Sequence, residues 1–89
     1  MGFYKIVWKN SAKKELKRLP KSTIGKILFS VEQLQSNVHP VGSKKIVGLE
    51  HTYRLRTGDY RIVYSIENED LIIEIIRVGH RKEIYRKIT

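Results

Sequence analysis

The chain is 89 residues long, carries eighteen Lys and Arg against nine Asp and Glu for a net charge of +9, and has no cysteine. This length sets a single domain (1–89) with a thin core, and the missing thiols exclude a disulfide framework or a thiolate metal site. The charge surplus favours a polyanionic partner, nucleic acid first, and with no signal-like or membrane-spanning apolar run the expected location is cytoplasmic.

In chain order, Phe3-Tyr4-Lys5-Ile6-Val7-Trp8 is aromatic and β-branched and predicts a first strand. Asn10 or Ser11 is placed to cap a short helix over Ala12 to Leu19, which Pro20 stops. A second helix starts near Ser22 and fades near Asn37. Its Ile24, Ile27, Leu28, Val31 and Leu34 recur at helical spacing. Val38 to Glu50, with two glycines, a proline and Lys44-Lys45, reads as a loop. Three strands follow, Tyr53 to Arg56, Tyr60 to Glu67 and Leu71 to Val78, separated by the turn-forming Thr57-Gly58-Asp59 and Asn68-Glu69-Asp70. His80 to Ile88 is either a last helical turn or a frayed tail. The order β-α-α-β-β-β predicts an α+β fold, a helix hairpin packed on one face of a small, mainly antiparallel sheet.

The basic residues are unevenly placed. Met1 to Lys45 holds nine Lys and one Arg against two Glu, whereas Ile46 to Thr89 holds six Arg and two Lys against seven acids. Lysine is a hydrated point charge suited to long-range attraction, and arginine is a planar fork that grips phosphate. Alternation along the strands sends Tyr53 and Leu55 one way and Arg54 and Arg56 the other; Arg61 likewise opposes the apolar Tyr60, Ile62, Tyr64 and Ile66. If the apolar faces meet the helices, Arg54, Arg56 and Arg61 share the uncovered face, where their mutual repulsion favours a bound anion. Cross-strand pairing with a carboxylate such as Glu74 is the competing reading.

The tail Val78-Gly79-His80-Arg81-Lys82-Glu83-Ile84-Tyr85-Arg86 adds an imidazole, further guanidinium groups and a phenol. His80 can give or take a proton near neutral pH, and the strand topology is expected to bring it beside the arginine face. Tyr85 can stack on an unpaired base or anchor the tail. The sequence has no Gly-rich phosphate loop, no supported carboxylate pair and no histidine pair at metal spacing. The first helix is too short, and its apolar face too necessary to the core, for a membrane-surface role.

Two stretches, Tyr53-Arg54-Leu55-Arg56-Thr57-Gly58-Asp59-Tyr60-Arg61-Ile62-Val63-Tyr64 and Ile76-Arg77-Val78-Gly79-His80-Arg81-Lys82-Glu83-Ile84-Tyr85, resemble the RelE branch of the RelE/ParE toxin superfamily. The likeness extends over nearly the whole chain. It implies a RelE-like fold and the toxin of a type II toxin–antitoxin system. Its implied activity is that of an endoribonuclease which enters the ribosomal A site and cuts messenger RNA without a metal or other cofactor. The implied partners are the ribosome, the messenger and a cognate antitoxin that wraps the toxin with an acidic or amphipathic segment. By position, Arg54 and Arg56 match the family's basic pair, Arg61 its arginine after the hairpin tyrosine, Arg81 its arginine after the last strand, and Tyr85 its C-terminal tyrosine. Lys44 and Lys45 join Arg54 and Arg56 as expected RNA contacts. Arg61 and Arg81 would clamp the scissile phosphate, Tyr85 would orient or stack the nucleotide, and His80, if it points inward, would serve as acid or base. Arginine at positions 54 and 56, where some members have lysine, removes a lysine base. The alternative within the superfamily is a ParE-like toxin that blocks DNA gyrase by binding, without cutting RNA.

Overall fold

The computed structural model describes residues 3–88, with side chains described through Ile84. It contains β1 (Lys5–Trp8), α1 (Asn10–Lys17), α2 (Lys21–Gln33), β2 (Ser43–Lys45), β3 (Thr52–Thr57), β4 (Tyr60–Glu67), β5 (Ile72–His80) and α3 (Arg81–Ile88). The strands form one sheet in the order β1-β5-β4-β3-β2. The β2–β3, β3–β4 and β4–β5 pairs are antiparallel, and β1 lies parallel to β5 because the helix hairpin carries the chain across before the meander begins. The α+β architecture matches the sequence expectation, with one added strand and a C-terminal helix.

The first helix starts abruptly. Lys9 still donates its N–H to Ile75 O at 3.0 Å, while its own carbonyl accepts from Lys13 N at 3.0 Å. One residue therefore closes the β1–β5 ladder and opens α1. Lys9 occupies the capping position without a side-chain cap, and Asn10, expected as a cap, is already helical. Pro20 caps α2, where its missing N–H costs nothing.

Both helices of the hairpin cover one sheet face. Ala12, Ile27, Val31 and Leu34 meet Leu55, Ile62, Tyr64, Ile66, Ile73, Ile75 and Val78 in the buried core. Tyr64 is fully buried and donates its hydroxyl to Val38 O at 2.8 Å. Tyr53 stacks on Tyr64 at 5.8 Å between centroids, and His39 meets Tyr53 edge-on at 4.7 Å. This aromatic ladder pins the chain after α2 to the sheet. Downstream of it, Gly42, at a positive φ of 96°, turns the chain alongside β3 and accepts Arg56 N–H at 3.2 Å. The expected Val38–Glu50 loop thus contains the edge strand β2, whose three residues show no alternation that could mark it.

One irregularity decides which way the end of β5 faces. Val63 pairs with Arg77 but Tyr64 with Ile75, so Ile76 is an extra residue in β5, a β-bulge. Ile73 and Ile75 point to the helices before the bulge, and Val78 does so after it. Every side chain beyond Ile76 is therefore reversed relative to strict alternation.

Candidate functional site: an arginine concavity on the open sheet face

On the face away from α1 and α2, the ladder registers align residues in rows. Lys44 pairs with Arg54, Arg54 with Val63 and Val63 with Arg77; in the next row Arg56 pairs with Arg61 and Arg61 with Gly79. Cross-strand partners project to the same side of a sheet. The result is a concavity of about 370 Å³ lined by Gly42, Lys44, Arg54, Arg56 and Arg61. All four of its charged residues are cationic, so the surface attracts anions and offers phosphate oxygens charge-assisted donors.

The arginines are held differently. Arg56 is exposed, and Arg54 and Arg61 are half-buried. Arg61 bends back over the β3–β4 turn, where Nη1 donates to Gly58 O at 3.0 Å and to Tyr60 O at 2.9 Å. These bonds fix the end of its side chain at the rim. Arg77 belongs to the same face but is drawn to the edge of the sheet: its Nη2 lies 2.6 Å from Glu15 Oε2, and the other carboxylate oxygen accepts Val78 N–H at 3.1 Å. Glu15 thereby caps β5 where β1 no longer runs beside it.

The remaining expected site residues are dispersed. Lys45 pairs with Tyr53 and so projects to the opposite face from Lys44. His80 pairs with Tyr60 and meets its ring edge-on at 5.5 Å, on the helix side of the sheet. The expectation that His80 joins the arginine face fails because of the Ile76 bulge; without that extra residue it would have pointed there. Its Nδ1 accepts Lys82 N–H at 3.2 Å. Arg81 is exposed at the start of α3 and does not line the concavity, although its N–H bonds Asp59 O at 2.8 Å and ties the tail to the hairpin turn. Tyr85 lies on α3, and its side chain is outside the described residues. A Cβ added to Gly79, the partner of Arg61, would meet Ile84 Cδ1 at 3.5 Å, so α3 packs on the arginine side of the sheet.

Gly42 and the Glu15–Arg77 clamp were not anticipated. The first depends on a strand too short to detect, and the second joins residues 62 positions apart. Among the described residues no group of His, Cys, Asp and Glu could hold a metal ion, and no helix is long and apolar enough to cross a membrane.

A mixed five-stranded sheet with a helix hairpin on one face and a basic concavity on the other defines the class: a small α+β domain with an anion-attracting open face. Residues 6–85 match the family model described as the ParE toxin of type II toxin–antitoxin systems, parDE. Toxin RelG of Mycobacterium tuberculosis is 31% identical over 94% of this chain and 98% of its own, and toxin RelE of the same organism is 33% identical over 93% and 87%. The RelE chain in the crystal structure of an archaeal RelE–RelB complex from Pyrococcus horikoshii superposes with a TM-score of 0.80 at 28% identity, covering 91% of this chain and 98% of that one. The chain belongs to the RelE/ParE toxin superfamily of type II toxin–antitoxin systems.

Proposed function

We propose that this toxin is a ribosome-dependent, metal-independent endoribonuclease that cuts messenger RNA in the A site, with the arginine concavity as its phosphate site. One observation carries this reading: Lys44, Arg54, Arg56 and Arg61, from three adjacent strands, surround a recess with no acidic side chain among the described residues that line it. In the reaction the ribose 2′-hydroxyl gives its proton to water as its oxygen bonds to the adjacent phosphorus, and the P–O5′ bond breaks, with the departing 5′-oxygen taking a proton from water to leave a 2′,3′-cyclic phosphate and a 5′-hydroxyl. Negative charge builds on the non-bridging oxygens in the transition state. Fixed guanidinium groups offset that charge without having to reorganise.

Arg61, anchored at the rim by the turn carbonyls, is assigned to the scissile phosphate. Arg54, Arg56 and Lys44 hold the flanking backbone. Arg81 and Tyr85, both residues of α3, keep the roles that the family resemblance implies, Arg81 toward a phosphate and Tyr85 toward a base. His80 is left out of the phosphate chemistry because of the side of the sheet it occupies.

The P. horikoshii relative forms a complex with RelB, and a cognate antitoxin is the proposed protein partner here. An acidic or amphipathic segment that orders on the basic surface would silence it. Expression in cells tests the reading. Growth arrest with codon-periodic messenger breaks and normal DNA supercoiling supports it, whereas arrest with altered supercoiling and intact messenger points to gyrase and overturns it.

A further inference from the structure

The tight turn between β3 and β4 bonds both to Arg61 and to the start of α3. Gly58 and Asp59 are its central residues, closed by the Thr57–Tyr60 pair. The carbonyl oxygens of Gly58 and Tyr60 both accept from Arg61 Nη1, at 3.0 and 2.9 Å, and that of Asp59, between them, accepts Arg81 N–H at 2.8 Å. We propose that this turn is the positioning element of the site and Gly58 its positioning residue: the turn aims the Arg61 guanidinium and sets where α3 begins, so the cutting rate depends on the backbone conformation at Gly58. The inference rests on the RNA-cleavage reading above.

Three observations carry it. The first is the anchoring of Arg61. A guanidinium Nη1 carries two N–H groups, and two carbonyl oxygens of the turn lie within bonding distance of it. Because the group is planar and rigid, holding one nitrogen at two points restricts the plane of the whole fork. The second is the entry of α3. Arg81 is its first residue and is bonded to the turn; Ile84, one helical turn on, is buried and lies 3.5 Å from where a Cβ on Gly79 would stand. Gly79 is the β5 partner of Arg61, so α3 runs from the turn over the strand beside Arg61. A displaced turn moves both.

The third is the conformation of Gly58. Its φ is 60°, yet a Cβ added there would meet nothing within 4 Å. Conformation, not space, calls for glycine. Asp59 keeps a negative φ, and a positive φ at the first central residue alone defines a type II′ turn, which matches the twist of the paired strands. Turn types differ chiefly in the orientation of the central peptide, whose oxygen is that of Gly58. A change of type therefore swings one of the two Arg61 acceptors away. The number of cations facing the RNA stays the same, so binding, which follows phosphate neutralisation, should hold while the rate, which follows alignment, falls.

The test measures messenger cleavage on ribosomes with a codon in an open A site, separating the saturated rate from the half-saturating concentration. Three full chains are compared with the wild type: Gly58→Ala, a chemically synthesised chain with D-alanine at position 58, and a chain with one extra glycine after Gly58. D-Alanine adopts positive φ readily, so it adds the same methyl group while keeping the turn. Gly58→Ala should lower the saturated rate on the order of tenfold, the scale of a misplaced catalytic group, with the half-saturating concentration changed by less than about twofold. The D-alanine chain should stay within about threefold of the wild type. The longer turn, a loop length that hairpins tolerate, should fold and show the same selective loss of rate as Gly58→Ala; it carries the test if Gly58→Ala fails to fold. A longer turn that cuts at the wild-type rate, equal losses from the two alanine enantiomers, or a loss confined to the half-saturating concentration would each overturn the positioning role while leaving the phosphate site standing. A wild-type chain that leaves the messenger intact overturns the RNA-cleavage reading itself.

Discussion

Arg56 and Arg61 stand directly opposite each other across the β3–β4 ladder. Two like charges in that register work against the hairpin, and under the proposed function an anion bound beside them would convert that repulsion into binding. Replacing Arg56 with threonine, a good strand former, is expected to stabilise the free protein by a few tenths up to about 1 kcal/mol. The same change should reduce the protection that pyrophosphate gives the wild type in thermal unfolding at matched ionic strength. A variant that is less stable in both conditions would show that the pair is not a site of stored repulsion.

Lys44 and Lys45 are neighbours in sequence with opposite placements. Lys44 lines the concavity and Lys45 projects to the other face. Each cation that neutralises a phosphate of single-stranded RNA adds about 0.7 to the slope of log affinity against log salt. Lys44→Ala should lower that slope by about this amount, and Lys45→Ala should leave it nearly unchanged. Equal effects from the two variants would mean that RNA is gathered by overall charge and not by this recess.

The Glu15 carboxylate serves two donors at once, the Arg77 guanidinium and the Val78 N–H. The paired side chains are only 18% and 23% exposed, so the interaction is partly shielded from water. Glu15→Ala is expected to cost about 1–3 kcal/mol in urea unfolding, since it leaves Val78 N–H and Arg77 without this acceptor. Glu15→Gln should recover part of the loss by keeping one acceptor oxygen. No difference between the two variants would place the stabilisation elsewhere in the helix.

Burial pushes the Tyr64 phenol from 10.0 up to about 12; a hydrogen bond with Ser43 pulls it back and the nearby Tyr53 adds a small upward push. A group whose pKa is higher in the folded state contributes stability that is intact below its unfolded value and is lost as pH climbs through the folded one. Stability should therefore decline between about pH 10 and 12, and Tyr64→Phe should flatten that decline. At neutral pH the same variant forfeits the bond to Val38 O, about 1 kcal/mol. An unchanged alkaline slope in the variant would assign the decline to other groups.

Much of this was legible in the chain itself. The helix hairpin follows from Ile24, Ile27, Val31 and Leu34 at helical spacing, and the arginine face follows from in–out alternation that sets Arg54 and Arg56 on one strand, and Arg61 on the next, opposite their apolar neighbours. Both are local patterns in which every position repeats the same signal. The end of β5 was not legible. A single inserted residue, Ile76, inverts the faces of Arg77 through His80, and nothing in Ile75-Ile76-Arg77 distinguishes a bulge from a continuing strand. Strand β2 was hidden for a related reason: its place in the sheet depends on the Tyr64–Val38 bond and the turn at Gly42, which are tertiary facts. Lys44 and Lys45 therefore looked equivalent in sequence, although only one of them reaches the site.

The most direct test maps messenger ends by primer extension in a purified translation system, comparing the wild type with Arg61→Ala and Lys45→Ala. Discrete breaks at the codon in the A site are expected from the wild type and from Lys45→Ala. Arg61→Ala should cut at least about 100-fold more slowly, the usual effect of removing one transition-state donor. Equal cleavage by Arg61→Ala and the wild type, or an intact messenger with the wild type, would contradict the assignment of the arginine concavity as the cutting site.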